Sequence, residues 1–270
     1  MGLAVGSPAF GGGKAEMVRL PGHPAVVLAL VLAGVLALSG CAGAGLSAGN
    51  AGLAAGNDAY PAASKASQAE PHKVVVVGDS FSTGMGSSVA DAWPSLIDAA
   101  PLNPEDNFDV VNVSQNGSGY VTVGDNNSTF VSQVKGAVTP DTQLVAFFGS
   151  ENDMGNSKAA IGAAAEAAFD AVKAKSPHAV VLAVGPPSYT TSPEAARLAV
   201  RDALKQAASR AGALFVDPIA QGWFIGQAAE LVGPDGDHPS AAGQRYLQAQ
   251  LEKLISEEVP AMPAPTPTSK

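Results

Sequence analysis

Cysteine is almost absent: Cys41 is the sole one among 270 residues. An internal disulfide is excluded, and so is a thiolate metal site. Charge is sparse as well, at 14% of residues, with 24 acidic against 15 basic side chains and a formal net charge of −9. The Lys and Arg residues are scattered, with no basic cluster and no aromatic interleaving. Nothing of this kind neutralises a phosphate backbone, so no nucleic-acid partner is expected. Long apolar runs are missing too. The stretch Ala25 to Leu38 has about 14 residues, short of the ~20 that a membrane-spanning helix needs. No lysine stands in the glycine-rich stretch Gly78 to Gly86, which fits neither nucleotide-binding glycine pattern. Asp79 within it would repel an approaching phosphate.

What is present divides the chain. Lys14, Arg19 and His23 precede the apolar run, the order of a secretory signal. The run ends in Leu38-Ser39-Gly40-Cys41, which resembles the lipobox of bacterial lipoproteins. That resemblance implies lipidation of Cys41 and an anchor on the extracytoplasmic face of the cell membrane. An ordinary signal peptide with an incidental cysteine is the plainer alternative. Residues 1–40 thus read as a signal peptide with lipobox. Residues 41–71, mostly Ala, Gly, Ser and Asn, read as a flexible tether. Residues 259–270 carry four prolines and read as a disordered tail. The folded domain is then 72–258, long enough to bury a real core.

Within it, short apolar runs alternate with helical patterns. Strands are expected at Lys73–Val77, Asp109–Val113, Gln143–Phe148, Ala179–Val184 and Ala213–Val216. They are β-branched and continuously apolar, as parallel strands covered on both faces should be. Ile161, Ala165, Ala168, Phe169 and Val172 share one helical face, and so do Leu247, Leu251, Leu254 and Ile255. Ser192-Pro193-Glu194 has the form of an N-cap followed by proline at the first helical position. The alternation predicts an α/β fold, a three-layer α/β/α sandwich on a parallel sheet of about five strands. Ligands of such sheets sit at the carboxyl ends of the strands.

The chemistry-bearing residues fall at those ends. Val74 to Val77 run into Gly78-Asp79-Ser80, a strand that stops at a turn and presents a serine. Asp235-Gly236-Asp237-His238-Pro239-Ser240 precedes the last helix. Pro239 keeps His238 extended, and Asp235 can hold one ring nitrogen while the other takes a proton from a serine. Asp237 is the rival orienter. Each motif has a bland counterpart: Ser80 as a helix cap, and the His238 turn as a cap through Ser240. Asn152, in Gly149-Ser150-Glu151-Asn152-Asp153, offers an amide to a developing oxyanion. A glycine in Asn112-Val113-Ser114-Gln115-Asn116-Gly117-Ser118-Gly119 could bring a backbone N–H to the same place. Trp223, Phe224 and Tyr189 lie in strand-end loops, as pocket lining or as core.

Together these blocks resemble the SGNH (GDSL) hydrolase family, in the right order and across nearly all of 73–255. The resemblance implies Ser80 as nucleophile, His238 as base and Asp235 as its orienter. It implies an oxyanion hole from Ser80, Gly117 and Asn152, with Gly119 the fallback for Gly117. It also implies the flavodoxin-like strand order 2-1-3-4-5. The expected protein is a serine esterase needing neither cofactor nor metal. It would act on acetyl or short acyl groups carried by carbohydrate or small lipid esters. Two departures stand out: Phe81 replaces the family's usual Leu, and Ser150 and Glu151 separate Gly149 from Asn152 where one residue is usual. The charge of Glu151 keeps open an alternative, a non-catalytic glycan- or lipid-binding lipoprotein.

Overall fold

The computed structural model describes residues 70–149 and 151–259. The signal segment, Cys41, nearly all of the tether and the tail beyond Val259 lie outside the described residues. In chain order the elements are β1 (His72–Gly78), α1 (Ser80–Thr83), α2 (Trp93–Ala99), β2 (Phe108–Asn112), α3 (Phe130–Ala137) and β3 (Leu144–Phe148). There follow α4 (Lys158–Lys175), β4 (Val180–Val184), α5 (Ala195–Ala211), β5 (Leu214–Val216), α6 (Ala228–Leu231) and α7 (Ala241–Glu258). Single 3-10 turns occur at Asp125–Asn127 and Glu151–Asp153. All strand pairs are parallel and the sheet order is β2-β1-β3-β4-β5. Every expected strand is present, with ends displaced by no more than one residue.

The valine run follows from the layering. Successive strand side chains point to opposite faces. Val75 and Val77 join Val145, Phe147, Val181 and Ala183 in a core closed by α3, α4 and α5. Val74 and Val76 join Leu144, Ala146, Phe148 and Leu182 in a second core, closed by Trp93 and Ile97 of α2 and Leu247, Leu251 and Ile255 of α7. Val74 to Val77 are each 0% exposed, so neither face of β1 has room for a polar residue. Each buried valine contributes about 1.5–3 kcal/mol relative to exposure.

The edges depart from the simple pattern. β2 lies at the sheet margin, and Asp109 and Asn112 are exposed. The expected start of α5 moves by two residues: Glu194 is its N-cap, and Ala195 opens the helix. Arg197 Nε donates to Glu194 Oε2 at 2.9 Å, and Ser192 instead donates its N–H to Thr190 Oγ1. Among the described residues no helix is long and apolar enough to cross a membrane.

Candidate active site

β1 ends at Gly78 because no side chain fits there. A Cβ on Gly78 would lie 2.9 Å from Phe148 O, Ser114 Oγ and Ser82 Oγ. Space, not a left-handed turn, demands this glycine. Asp79, fully buried, caps α1 by accepting from Phe81 N at 3.0 Å. Ser80 is therefore the first residue of α1 and not its cap. It is 7% exposed and stands where a helix N-terminus aims backbone N–H groups. Gln133 of α3 secures this corner from below. Its Oε1 accepts from Gly78 N at 2.9 Å, and its Nε2 donates to Gly78 O at 3.0 Å and Ser118 Oγ at 2.9 Å. Gln133 was not anticipated from the sequence. The available hint is a polar residue on the apolar stripe with Phe130 and Val134.

The candidate base and its orienter stand before α7. His238 Nδ1 and Asp235 Oδ2 are 2.8 Å apart, and Asp235 Oδ1 accepts from His238 N and Asp237 N at 3.0 Å each. The N–H groups of His238 and Asp237, followed by the imidazole contact, lower the Asp235 carboxyl to about 2. Asp237 does not orient Nδ1; its carboxylate lies 4.0 Å from Nε2. Ser240 also caps α7, accepting from Gly243 N at 3.1 Å, so the cap and the Asp235–His238 contact share one turn. A Cβ on Gly86 would lie 2.7 Å from His238 Cβ, which packs the loop after α1 directly against His238. The Phe81 and His238 rings are 6.2 Å apart between centroids. Among the described residues the Ser80 hydroxyl makes no hydrogen bond to His238. Such relays often tighten only with substrate present.

Between the two lie the remaining candidates. Thr83 Oγ1 donates to Asn116 Oδ1 at 2.6 Å, tying α1 to the Gly117 loop. Gly117 has φ +70, and a Cβ there would meet nothing closer than Gly124 Cα at 3.7 Å. Gly119 differs: its N–H donates to Thr122 O at 2.9 Å, and a Cβ would lie 2.6 Å from Asp153 Oδ1. Asp153, fully buried, accepts from the N–H groups of Tyr120, Val121 and Thr122 at 2.7–3.0 Å. Asn152 Nδ2 donates to Ser118 O at 2.9 Å and to Asp79 Oδ2 at 3.1 Å. Both amide hydrogens thus have acceptors, and the amide is held against the residue preceding Ser80.

Glu151 has the charge expected of it but not the isolation. Arg197 Nη1 meets Glu151 Oε2 at 2.5 Å, with side-chain exposures of 10% and 11%. Burial raises the Glu151 carboxyl, and Arg197 pulls it back only in part. Burial works against the Arg197 charge too, but Glu151 and Glu194 outweigh it and its net shift is upward. Trp223 and Phe224 are core residues, while Tyr189 is half-buried and donates its hydroxyl to Asp237 O. Burial, then the charges of Glu151 and Asp237, push the Tyr189 hydroxyl far upward, so it stays protonated as a donor.

Relatives fit this geometry. Residues 76–246 match the GDSL-like Lipase/Acylhydrolase family. The GDSL lipase Rv0518 of Mycobacterium tuberculosis is 38% identical over 196 residues, spanning 69% of this chain and 82% of its own. The crystal structure of TesA is similar with a TM-score of 0.58 at 20% identity, over 69% of this chain and 99% of its own. The psychrotrophic esterase EstA from Pseudoalteromonas sp. gives 0.56 at 13% identity, over 69% and 97%. These two likenesses concern the fold. With the sequence match beside them, the chain belongs to the GDSL-like lipase/acylhydrolase (SGNH) family and is a carboxylic ester hydrolase.

Proposed function

We propose that the protein is an extracytoplasmic serine esterase that removes acetyl or short acyl groups from carbohydrate or small lipid esters. The observation that carries the mechanism is the double hold of Asp235 on His238, through the backbone N–H and through Nδ1. That hold fixes the tautomer and leaves Nε2 as the nitrogen for proton transfer.

In the first half-reaction, Ser80 Oγ bonds to the ester carbonyl carbon while its proton passes to His238 Nε2. The carbonyl electron pair moves to oxygen, which the N–H groups of Ser80 and Gly117 receive. Asn152 joins them when the oxyanion displaces one of its resting acceptors. The open space at Gly117, against the committed N–H of Gly119, favours Gly117 as donor. The tetrahedral species collapses, the carbon–alkoxy bond breaks, and the imidazolium returns its proton to the leaving alcohol. Asp235, ionised throughout, stabilises that imidazolium. Water then repeats the sequence on the acyl-enzyme and releases the acid.

Apolar side chains on the loops flanking the site support an acylated substrate: Met85, Val89 and Val123 are 46%, 75% and 58% exposed. The lipobox at Leu38–Cys41 supports the location. A non-catalytic binder was suggested by the charge of Glu151. Arg197 neutralises that charge, which favours hydrolysis. A fluorophosphonate probe should label the protein, and Ser80→Ala should lose both labelling and ester turnover. Turnover surviving in Ser80→Ala would refute the mechanism. Cys41→Ser should move the protein from the membrane fraction to the soluble one; unchanged fractionation would refute the anchor.

A further inference from the structure

The loop between β4 and α5 contains none of the family's motif residues, yet it reaches both halves of the site. Tyr189 donates to Asp237 O beside His238. Pro187 O accepts from Arg197 Nη1 at 2.9 Å, and the same guanidinium takes Glu151 Oε2 at 2.5 Å and Glu194 Oε2 at 2.9 Å. The loop itself is backed by Phe224, whose ring meets Tyr189 edge-on at 5.3 Å. Phe224 is fully buried and has φ +66, a left-handed conformation that a bulky side chain rarely adopts.

We propose that Arg197 is a positioning residue for the oxyanion amide, acting on Asn152 through Glu151. This rests on the reading of Asn152 as an oxyanion donor. Glu151 immediately precedes Asn152 in the 3-10 turn Glu151–Asp153, in the segment where this chain has an extra residue after Gly149. A longer connection holds an amide less firmly unless something fixes it. Asp153 fixes the far side of Asn152 through the Tyr120–Thr122 backbone. Arg197 fixes the near side. Its planar fork satisfies three acceptors, two on the β4–α5 connection and one on the Glu151 turn, which the single ammonium of lysine does not match in geometry. A buried ion pair is also weak grounds for stability alone. What this pair supplies is a fixed distance between α5 and the turn that carries Asn152.

The test is a kinetic cycle on the full chain. Arg197→Met should lower kcat by about 10- to 100-fold with KM changed less than about threefold, below the about 100- to 1,000-fold for loss of an oxyanion donor itself. In the Asn152→Ala background the same substitution should cost less than about threefold, since the group it positions is gone. Arg197→Met with Glu151→Gln removes the unpaired charge. It should regain the thermal midpoint while kcat stays low. Arg197→Lys, which keeps the charge and the fold, should fall between wild type and Arg197→Met in kcat. The proposal is overturned if kcat of folded Arg197→Met lies within twofold of wild type. It is equally overturned if its loss multiplies fully with Asn152→Ala, or if the neutral double variant recovers kcat along with stability. Ser80→Ala serves as the control for the esterase reading: turnover there would sink that reading, whatever Arg197 does. An unaffected Asn152→Ala with inert Ser80→Ala would sink the positioning role alone.

Discussion

Replacing Gln133 with leucine should destabilise the corner that presents Ser80, and the cost can be worked group by group. Gln133 is 6% exposed, so whatever it leaves unsatisfied is not taken up by bulk water. Gly78 O would keep Gln115 N at 3.1 Å, while the single hydroxyl proton of Ser118 is shared between it at 3.0 Å and Gln115 O at 2.6 Å. Gly78 N–H would lose Gln133 Oε1 at 2.9 Å, its partner among the described residues. A buried orphan donor costs about 1–3 kcal/mol. The links from Nε2 to Ser118 Oγ and Ser128 Oγ, at 2.9 and 3.1 Å, disappear as well. Those add about 1 kcal/mol, and the apolar surface of leucine returns a similar amount. The net expectation is a loss of about 1–3 kcal/mol. Urea unfolding followed through buried Trp93 and Trp223 should show a midpoint lowered by roughly 1 M at unchanged slope. Activity per folded molecule should also fall, because β1 ends at the residue pair that sets Ser80. Leucine at 133 with wild-type stability would refute the assignment of Gln133 as the clasp of this corner.

Three further outcomes are expected. Gly149→Ala should cut the phosphonate labelling rate by more than tenfold, because φ is +120 and a Cβ would sit 2.2 Å from Asp79 Oδ2, against the cap of α1; labelling at the wild-type rate would show that this contact does not matter. Tyr120→Phe should be neutral or should raise the thermal midpoint by a few degrees, since the hydroxyl is buried with no partner among the described residues; a clear drop would mean that the hydroxyl is satisfied. Asp235 has its carboxyl lowered to about 2, so what it adds to the His238 turn is complete above the ordinary carboxylate range and is lost progressively as pH falls from that range through about 2. A carboxyl titration by NMR should place its midpoint well under the usual ~3.9, and a midpoint near 4 would refute the backbone hold.

The sheet was legible in the sequence because each strand has one dominant cause. Val74 to Val77 and Leu144 to Phe148 are apolar on both faces, and only a parallel strand between two helical layers accepts that pattern. Ser80, Asp235 and His238 were legible for a similar reason: each stands at a strand end or helix start where local chain geometry determines its direction. The start of α5 was not legible. Ser192-Pro193 has the composition of a cap, but the Ser192 N–H donates to Thr190 Oγ1 and the helix opens two residues later at Ala195. Gln133 and Arg197 were not legible because Gly78 and Glu151, which they hold, lie 55 and 46 residues away at no motif spacing. The sequence suggests only a turn at Gly78; what excludes a side chain there is crowding by three oxygens, which come from β3, α1 and the segment after β2 and leave no local signal.

The extra residue before Asn152 shows why such partners matter to the chemistry. Lengthening a turn by one residue ordinarily shifts everything after it, and an oxyanion donor displaced by about 1 Å loses much of its effect. Here the turn is pinned at both ends. Gly149 adopts φ +120 and packs on Asp79, where any Cβ would collide with the carboxylate. Glu151 is caught by Arg197, and Asn152 itself is clamped between Asp79 and Ser118. On the proposed reading of Asn152, the charge of Glu151 is the handle by which Arg197 of α5 holds the Glu151–Asp153 turn in register. Tolerance of a buried Glu151 beside Asn152 then depends on Arg197, and an Arg197 variant that retains Glu151 should be worse than one that loses both charges in stability, though not in rate.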